Sequence, residues 1–305
     1  TSPLYALRES FHSQHGVPFT EANVLGVLSL IFWSLAIVIV IKYLGFILRA
    51  DNRGEGGVLA LLALLLHETE IRPRSRAVFI VLGVFGASLL YGEGVITPAV
   101  SVMSAVEGLE VATPRFGPFV VPITVVILLG LFLVQKVGTA KVGAVFGPIT
   151  LLWFVSMSIL GVRGIMQHPS ILTALNPMHA VDFFRSNGAV GYFVLGAVVL
   201  AITGAEALYA DMGHFGLRPI RLGWFIIVFP ALMLNYLGQG AMLIAMNGQG
   251  IESPFFTLVP RPLLYPMVGV AMAATVIASQ ALISGSFSLT QQAIQLGFLP
   301  RLRIV

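Results

Sequence analysis

Six stretches of this sequence carry no charged side chain over a length that crosses a bilayer: residues 24–41, 116–135, 142–162, 186–205, 222–251 and 262–300. A transmembrane helix needs about 20 consecutive apolar residues. A seventh stretch, residues 77–106, is interrupted only by Glu93. The last run exceeds one span, so it should hold a helix plus a turn or the start of another. TSPLYALRESF, at the beginning, reads as the tail of a further helix. The chain starts at Thr1 without Met or a signal-peptide pattern and ends at Val305 just past an apolar stretch. The expectation is an all-α, polytopic transmembrane domain over residues 1–305, a piece running from the tail of a first helix through an eighth. The shorter apolar run VLALLALLL, residues 58–66, cannot span and is expected as a loop helix, either interfacial or buried.

Composition enforces the same solvent. Of 305 residues 57% are hydrophobic and 10% charged, and the mean hydropathy is +0.94. Soluble domains are about a quarter charged, so this chain cannot clothe a water-facing surface and its apolar excess must face lipid. A net charge of +4 would point a soluble protein toward nucleic acid, but here Lys and Arg report topology and no nucleic-acid partner is expected. Assigned to alternate loops, the 17 basic residues divide 12 to 5. Lys42, Arg49, Arg53, Arg72, Arg74, Arg76, Lys136, Lys141, Arg218, Arg221, Arg301 and Arg303 fall on one side, and Arg8, Arg115, Arg163, Arg185 and Arg261 on the other. By the positive-inside rule the first set is cytoplasmic and the first helix ends outside. Cysteine is absent, which excludes disulfides, thiolate catalysis and Cys-based metal sites.

Acids placed at membrane depth carry the functional information. Residues 77–107 form a segment of about 46 Å at about 1.5 Å per residue, with Glu93 near its middle. Glu206 lies similarly deep in residues 188–214. A carboxylate there costs a few kcal/mol unless paired, protonated or hydrated, and usually marks an ion or substrate path. Glu93 sits in YGEGVITPA beside Tyr91, where two glycines and Pro98 are expected to loosen the helix and free backbone carbonyls. Glu206 sits in ITGAEALYADMGHFG, with Thr203, Tyr209 and Asp211 close by. Interrupted helices with free carbonyls and carboxylates are how secondary transporters hold coupling ions. Oxygen-only ligands suit K+ or Na+, and the same carboxyls accept protons, so cation and proton can compete for one site.

Other groups are secondary candidates. Glu107 and Glu110 lie about 20 Å beyond Glu93 along a helix, in an outer vestibule or surface cap. Asp211 could guide ions or pair with Arg218. Histidines, among them His67 and His214, fall mostly in loops or at helix ends without HExxH or other metal spacing. GAEALYADMG follows no soluble strand and is no dinucleotide loop. No cofactor is expected; K+ and H+ enter as transported ions.

LYA occurs at Leu4, Tyr5 and Ala6 and again at Leu208, Tyr209 and Ala210. Five spans separate the two copies, which fits an inverted repeat with the first and sixth helices as the broken pair. TSPLYALRE, RGEGGVLALLAL, LLYGEGVITPAVSVMSAVEGLE, TGAEALYADMGHFGLRPIRLGWF, LNYLGQGA and ASQALISGSFSLTQQAIQLGFLPR, spread over nearly the whole chain, closely resemble the KUP (HAK, KT) potassium-uptake family. The resemblance implies a permease of the amino acid-polyamine-organocation superfamily, with a LeuT-like inverted-repeat fold and discontinuous first and sixth helices. It further implies K+:H+ symport across the cell membrane. It assigns potassium or proton handling to Glu93 and Glu206, and the lining of the cation site to Thr1 and Tyr5. The family's first-helix acid would precede Thr1, and about four further spans and a cytoplasmic C-terminal region would follow Val305.

Rival readings are an amino-acid or polyamine permease, a passive cation channel and a non-transporting receptor or scaffold; a homodimer is compatible with all. A TVGYG filter is absent, which counts against a potassium channel of the usual architecture. The absence of cysteine makes the orientation directly testable in the full-length protein, freed of any other cysteine. A cysteine replacing Arg115 should react with a membrane-impermeant maleimide on intact cells, and one replacing Arg218 only after permeabilisation. The reverse pattern would invert the topology.

Overall fold

The computed structural model describes residues 1–12, 16–50, 56–67, 72–134, 143–210 and 216–300, and everything described is helix, turn or irregular. Seven helices are long and apolar enough to cross a membrane, matching the seven stretches above. Shorter helices accompany them. In chain order the seven and two of the shorter ones are α1 (Ala6–His12), α2 (Glu21–Arg49), α3 (Val58–His67), α4 (Pro73–Ala112), α5 (Pro114–Leu133), α6 (Val145–Gln167), α7 (Met178–Tyr209), α8 (Leu217–Ala245) and α9 (Arg261–Gln295).

Their ends follow local chemistry. Thr20 caps α2, its Oγ1 accepting from the Asn23 N–H at 3.2 Å, which satisfies one of the donors a helix start leaves open. Proline opens α4 at Pro73, where the missing N–H costs nothing. Beyond Ser34, α2 widens into a π-helix over Leu35–Phe46, carrying Lys42 past the end of its charge-free run. α8 stops at Met246, and the chain then turns through Asn247, Gly248 and Gly250 at positive φ, a conformation that glycine enters without steric cost. Gly188, at φ 52°, kinks α7 and separates an amphipathic lead from the apolar run.

The lateral surface is apolar: Val81, Leu82, Phe85, Val126, Leu133, Ile159 and Ile226 are each more than half exposed. The interior holds the large core around Leu28, Ile31, Trp153, Met157, Tyr236 and Phe255, and with it fully buried Ser29, Asn235, Gln239 and Thr275. Polar groups inside and apolar groups outside is the distribution a lipid solvent selects. Where helices touch, glycine lets the backbones meet, as small residues do between membrane helices. A Cβ on Gly161 would lie 2.3 Å from the Leu234 backbone, and one on Gly238 2.5 Å from the Gly161 carbonyl, so α6 and α8 are in main-chain contact.

One expectation changes. The YGEGVITPA segment does not loosen: α4 runs unbroken through Gly92, Glu93, Gly94 and Pro98. Gly94 serves close packing instead, because a Cβ there would sit 2.6 Å from Ser286 Oγ on α9. The final apolar run is one long helix ending at Gln295 followed by a turn, the first of its two expected forms. α3 takes the buried form of its two expected placements, with Leu59 and Leu62 packed against Ala87 of α4 and Leu289 and Ala293 of α9.

Candidate cation site

The site is built where α7 stops being a helix. Its regular part ends at Ile202, and a short turn-forming helix resumes at Ala207–Ala210. Between them Gly204 takes φ +86°, a left-handed conformation that costs a residue with a Cβ about 1–2 kcal/mol. The break converts the ladder to tighter bonds, Ala205 N–H to Ile202 O and Ala207 N–H to Gly204 O, both at 3.2 Å. It also releases the Gly204 N–H, which donates to Glu93 Oε1 at 2.8 Å. The acid midway along unbroken α4 therefore holds the turn of broken α7.

Glu93 and Glu206 line one cavity of 670 Å3, and their carboxyls are close enough to interact. Lys42, Tyr43, Tyr209, Ser288 and Gln292 also line it; with Lys42 and the end of α9 at its rim, it lies toward the Lys/Arg-rich side. Glu206 Oε1 is buried and finds no hydrogen-bond partner among the described residues. Tyr209 is buried and donates its hydroxyl to the Ala50 carbonyl at 2.7 Å.

A second chamber of 290 Å3 lies across the turn, lined by Thr1, Ser2, Tyr5, Thr97, Ser101, Thr203, Gly204 and Ser279 among others. Thr1 and Ser101 share a hydroxyl contact of 3.1 Å. Ser279 Oγ is buried without a partner among the described residues. The chain breaks here too: Ser2–Leu4 form a 3-10 turn, Tyr5 is non-helical at φ −135°, and α1 begins at Ala6. The residues picked from sequence thus divide between two chambers, Glu93, Glu206 and Tyr209 in the larger, Thr1, Tyr5 and Thr203 in the smaller, with the Thr203–Glu206 turn between them.

Three picked residues stand elsewhere. Tyr91 lines neither chamber, its hydroxyl pairing with Thr290 Oγ1 at 2.7 Å. Glu107 pairs with Arg8 of α1, away from both chambers. Asp211 lies outside the described residues, as does His214. Sequence reading passed over Thr97, Ser101 and Ser279. The first two carried a signal, because Glu93, Thr97 and Ser101 follow i, i+4, i+8 spacing and must share one helix face. Ser279 sits in an uncharged run and offers none.

Seven helices long and apolar enough to cross a membrane, with polar groups buried among them, define a multi-pass integral membrane protein. The chain belongs to the family described as the K+ potassium transporter integral membrane domain, whose model matches residues 1–305. It is similar to the "Probable potassium transport system protein Kup" of Myxococcus xanthus, 60% identical over 307 residues that cover 100% of this chain and 47% of that protein. The protein of the same name from Cupriavidus pinatubonensis is 58% identical, covering 100% of this chain and 48% of the relative. "Probable potassium transport system protein Kup 1" of Geobacter sulfurreducens is 61% identical with the same coverage, 100% and 48%. The chain spans about half the length of these relatives. No solved structure matches it. The family's description makes the chain an integral membrane domain.

The positive φ of Gly204 separates backbone strain from crowding, since a Cβ there meets nothing within 4 Å. Gly196, in the regular part of the same helix, is equally uncrowded. Gly204→Ala should lower stability by about 1–2 kcal/mol, while Gly196→Ala should be neutral or stabilise by up to about 1 kcal/mol. Thermal midpoints of the detergent-purified full-length protein read the difference, and equal midpoints would show that the turn does not hold its left-handed residue.

Proposed function

We propose that this chain forms the ion-translocating part of a secondary active transporter that takes up potassium coupled to protons. The supporting observation is the pair Glu93 and Glu206 in one cavity, with Glu93 tied to the main chain of the helix break. Two carboxyls in a shared low-dielectric site do not ionise together without a compensating cation. Occupancy by K+ and occupancy by H+ therefore become alternatives at the same oxygens. An enclosed path divided by a turn suits such exchange better than a continuous pore, and the relatives' printed names supply potassium as the cargo.

Potassium would be dehydrated by oxygens on both sides of the turn. Hydroxyls of Thr1, Tyr5, Thr97, Ser101, Thr203 and Ser279, with carbonyls freed at the two breaks, replace its water shell in the smaller chamber. Glu93 and Glu206 receive it, or a proton, in the larger one. Tyr209 closes the larger chamber's wall and holds the Ala50 carbonyl. Tyr91 steadies α4 against α9 and does not bind the ion. The arrangement fits a LeuT-like inverted repeat: two interrupted helices five spans apart meet near Ser2 and Ala201, where Ser2 Oγ reaches the Ala201 carbonyl at 3.5 Å. With the larger cavity toward the cytoplasm and Arg8 paired to Glu107 at the outer end, the conformation is inward-facing.

Rubidium uptake by the full-length protein in cells lacking their own potassium transport tests the reading. Uptake should saturate with concentration and fall as external pH rises. Linear uptake indifferent to the proton gradient would mean a passive pore. Glu206→Gln, which removes the charge at little cost in volume, should reach the membrane normally and lose uptake by at least roughly tenfold, equivalent to about 1.4 kcal/mol. Undiminished rubidium uptake by that variant would exclude the role given to Glu206.

A further inference from the structure

The string LNYLGQGA, residues 234–241, contributes nothing to the lining of either chamber, yet it holds three fully buried polar side chains within five residues. Asn235, Tyr236 and Gln239 are each 0% exposed. In a membrane interior such groups are kept only where they bond to something that matters. Gln239 Nε2 donates to the Pro3 carbonyl at 2.8 Å and to Asn235 Oδ1 at 2.8 Å. Asn235 Nδ2 in turn donates to the Met157 carbonyl of α6 at 3.1 Å. Tyr236 donates its hydroxyl to Ser2 Oγ at 2.9 Å, and Ser2 Oγ reaches the Ala201 carbonyl at 3.5 Å.

These bonds form two chains that engage one segment. One runs from the α6 backbone through Asn235 and Gln239 to Pro3, and the other from Tyr236 through Ser2 to the residue just before the α7 break. Both engage the 3-10 opening segment that presents Thr1 and Tyr5 to the smaller chamber, one ending at Pro3 and the other passing through Ser2 to Ala201. That segment has few bonds of its own, Leu4 N–H to Thr1 O at 3.0 Å and Tyr5 N–H to Ser2 O at 3.1 Å, so its position must be imposed from outside. The base from which it is imposed is stiff: α6 and α8 touch backbone to backbone at Gly161, Gly164 and Gly238. Orientation of the Gln239 amide follows from its two partners, both acceptors, which only an NH2 group can serve together.

We propose that Gln239 and Tyr236 are positioning residues of the cation path, fixing the oxygens of the broken first helix and linking them to the break in α7. The inference rests on the transport reading above, and it adds that α8, which supplies no ligand, sets how well the ligands fit. Binding constellations tolerate displacements of only about 0.5 Å. Loss of either donor should therefore weaken cation binding before it weakens the fold.

Rubidium uptake kinetics of the full-length protein in potassium-transport-deficient cells, with surface amount measured in parallel, decide the matter. Gln239→Leu keeps the volume and removes both donated bonds; KM should rise about tenfold, or about 1.4 kcal/mol. Tyr236→Phe removes one hydroxyl and should raise KM by a smaller factor, about threefold, with Vmax per surface molecule kept within about twofold for both. Reduced surface amount with an unchanged KM in both variants would mean packing alone and would overturn the proposal. Should Gln239→Leu fail to reach the membrane, Tyr236→Phe decides by itself: a raised KM supports the role, a wild-type KM rejects it. Absence of saturable uptake in the unaltered protein would reject the transport reading and this inference together, whereas saturable wild-type uptake with unmoved KM in the variants rejects only the latter.

Discussion

The bond from the Gly204 N–H to the Glu93 carboxyl is the constraint around which the rest is arranged. Inside a bilayer no water meets an open backbone donor, and an unmet one costs several kcal/mol. A helix interrupted at mid-depth is therefore viable only if another part of the protein satisfies what the interruption releases. Glu93 does so from the middle of an unbroken helix, at 2.8 Å. The same contact brings the second carboxyl, on Glu206, into the cavity of the first and places the Thr203–Glu206 turn as the partition between two chambers.

The surrounding helices make that contact durable. α4 stays continuous through its glycines and Pro98, so its acid is presented from a rigid rod. α9 presses on it where Gly94 leaves room for Ser286. On the other side, α6 and α8 are fused at glycines and hand their rigidity on to the opening segment through fully buried amides. The protein thus has two stiff pairs of helices and two short segments of irregular backbone, at Ser2–Tyr5 and Thr203–Glu206.

Much of this was legible residue by residue. Charge-free runs located every membrane helix because charge cannot be buried in lipid cheaply, and deep acids announced themselves for the same reason. The break near Glu206 was visible in its glycines, one of which does adopt positive φ. An equal expectation for YGEGVITPA failed, since glycine and proline permit a break without requiring one. Neighbouring helices decided: Gly94 is a contact surface for α9, whereas Gly204 meets nothing and turns. Tyr91 drew attention by its nearness to Glu93, but residues two apart on a helix point about 200° from one another, which aimed it at Thr290 instead. Ser279 and Gln239 gave no sign, because an uncharged polar residue in an apolar run looks alike whether it lines a chamber or ties two helices.

By itself the sequence determined the solvent, the number of spans, their expected orientation and the acids that must find partners. Those properties follow from transfer free energies of individual side chains, which do not depend on the neighbours a residue acquires. Tertiary structure alone decided which glycine bends, which hydroxyls face a chamber and which acid meets which backbone donor. These depend on distances between segments far apart in the chain, such as Glu93 and Gly204 or Pro3 and Gln239, and no local pattern encodes them.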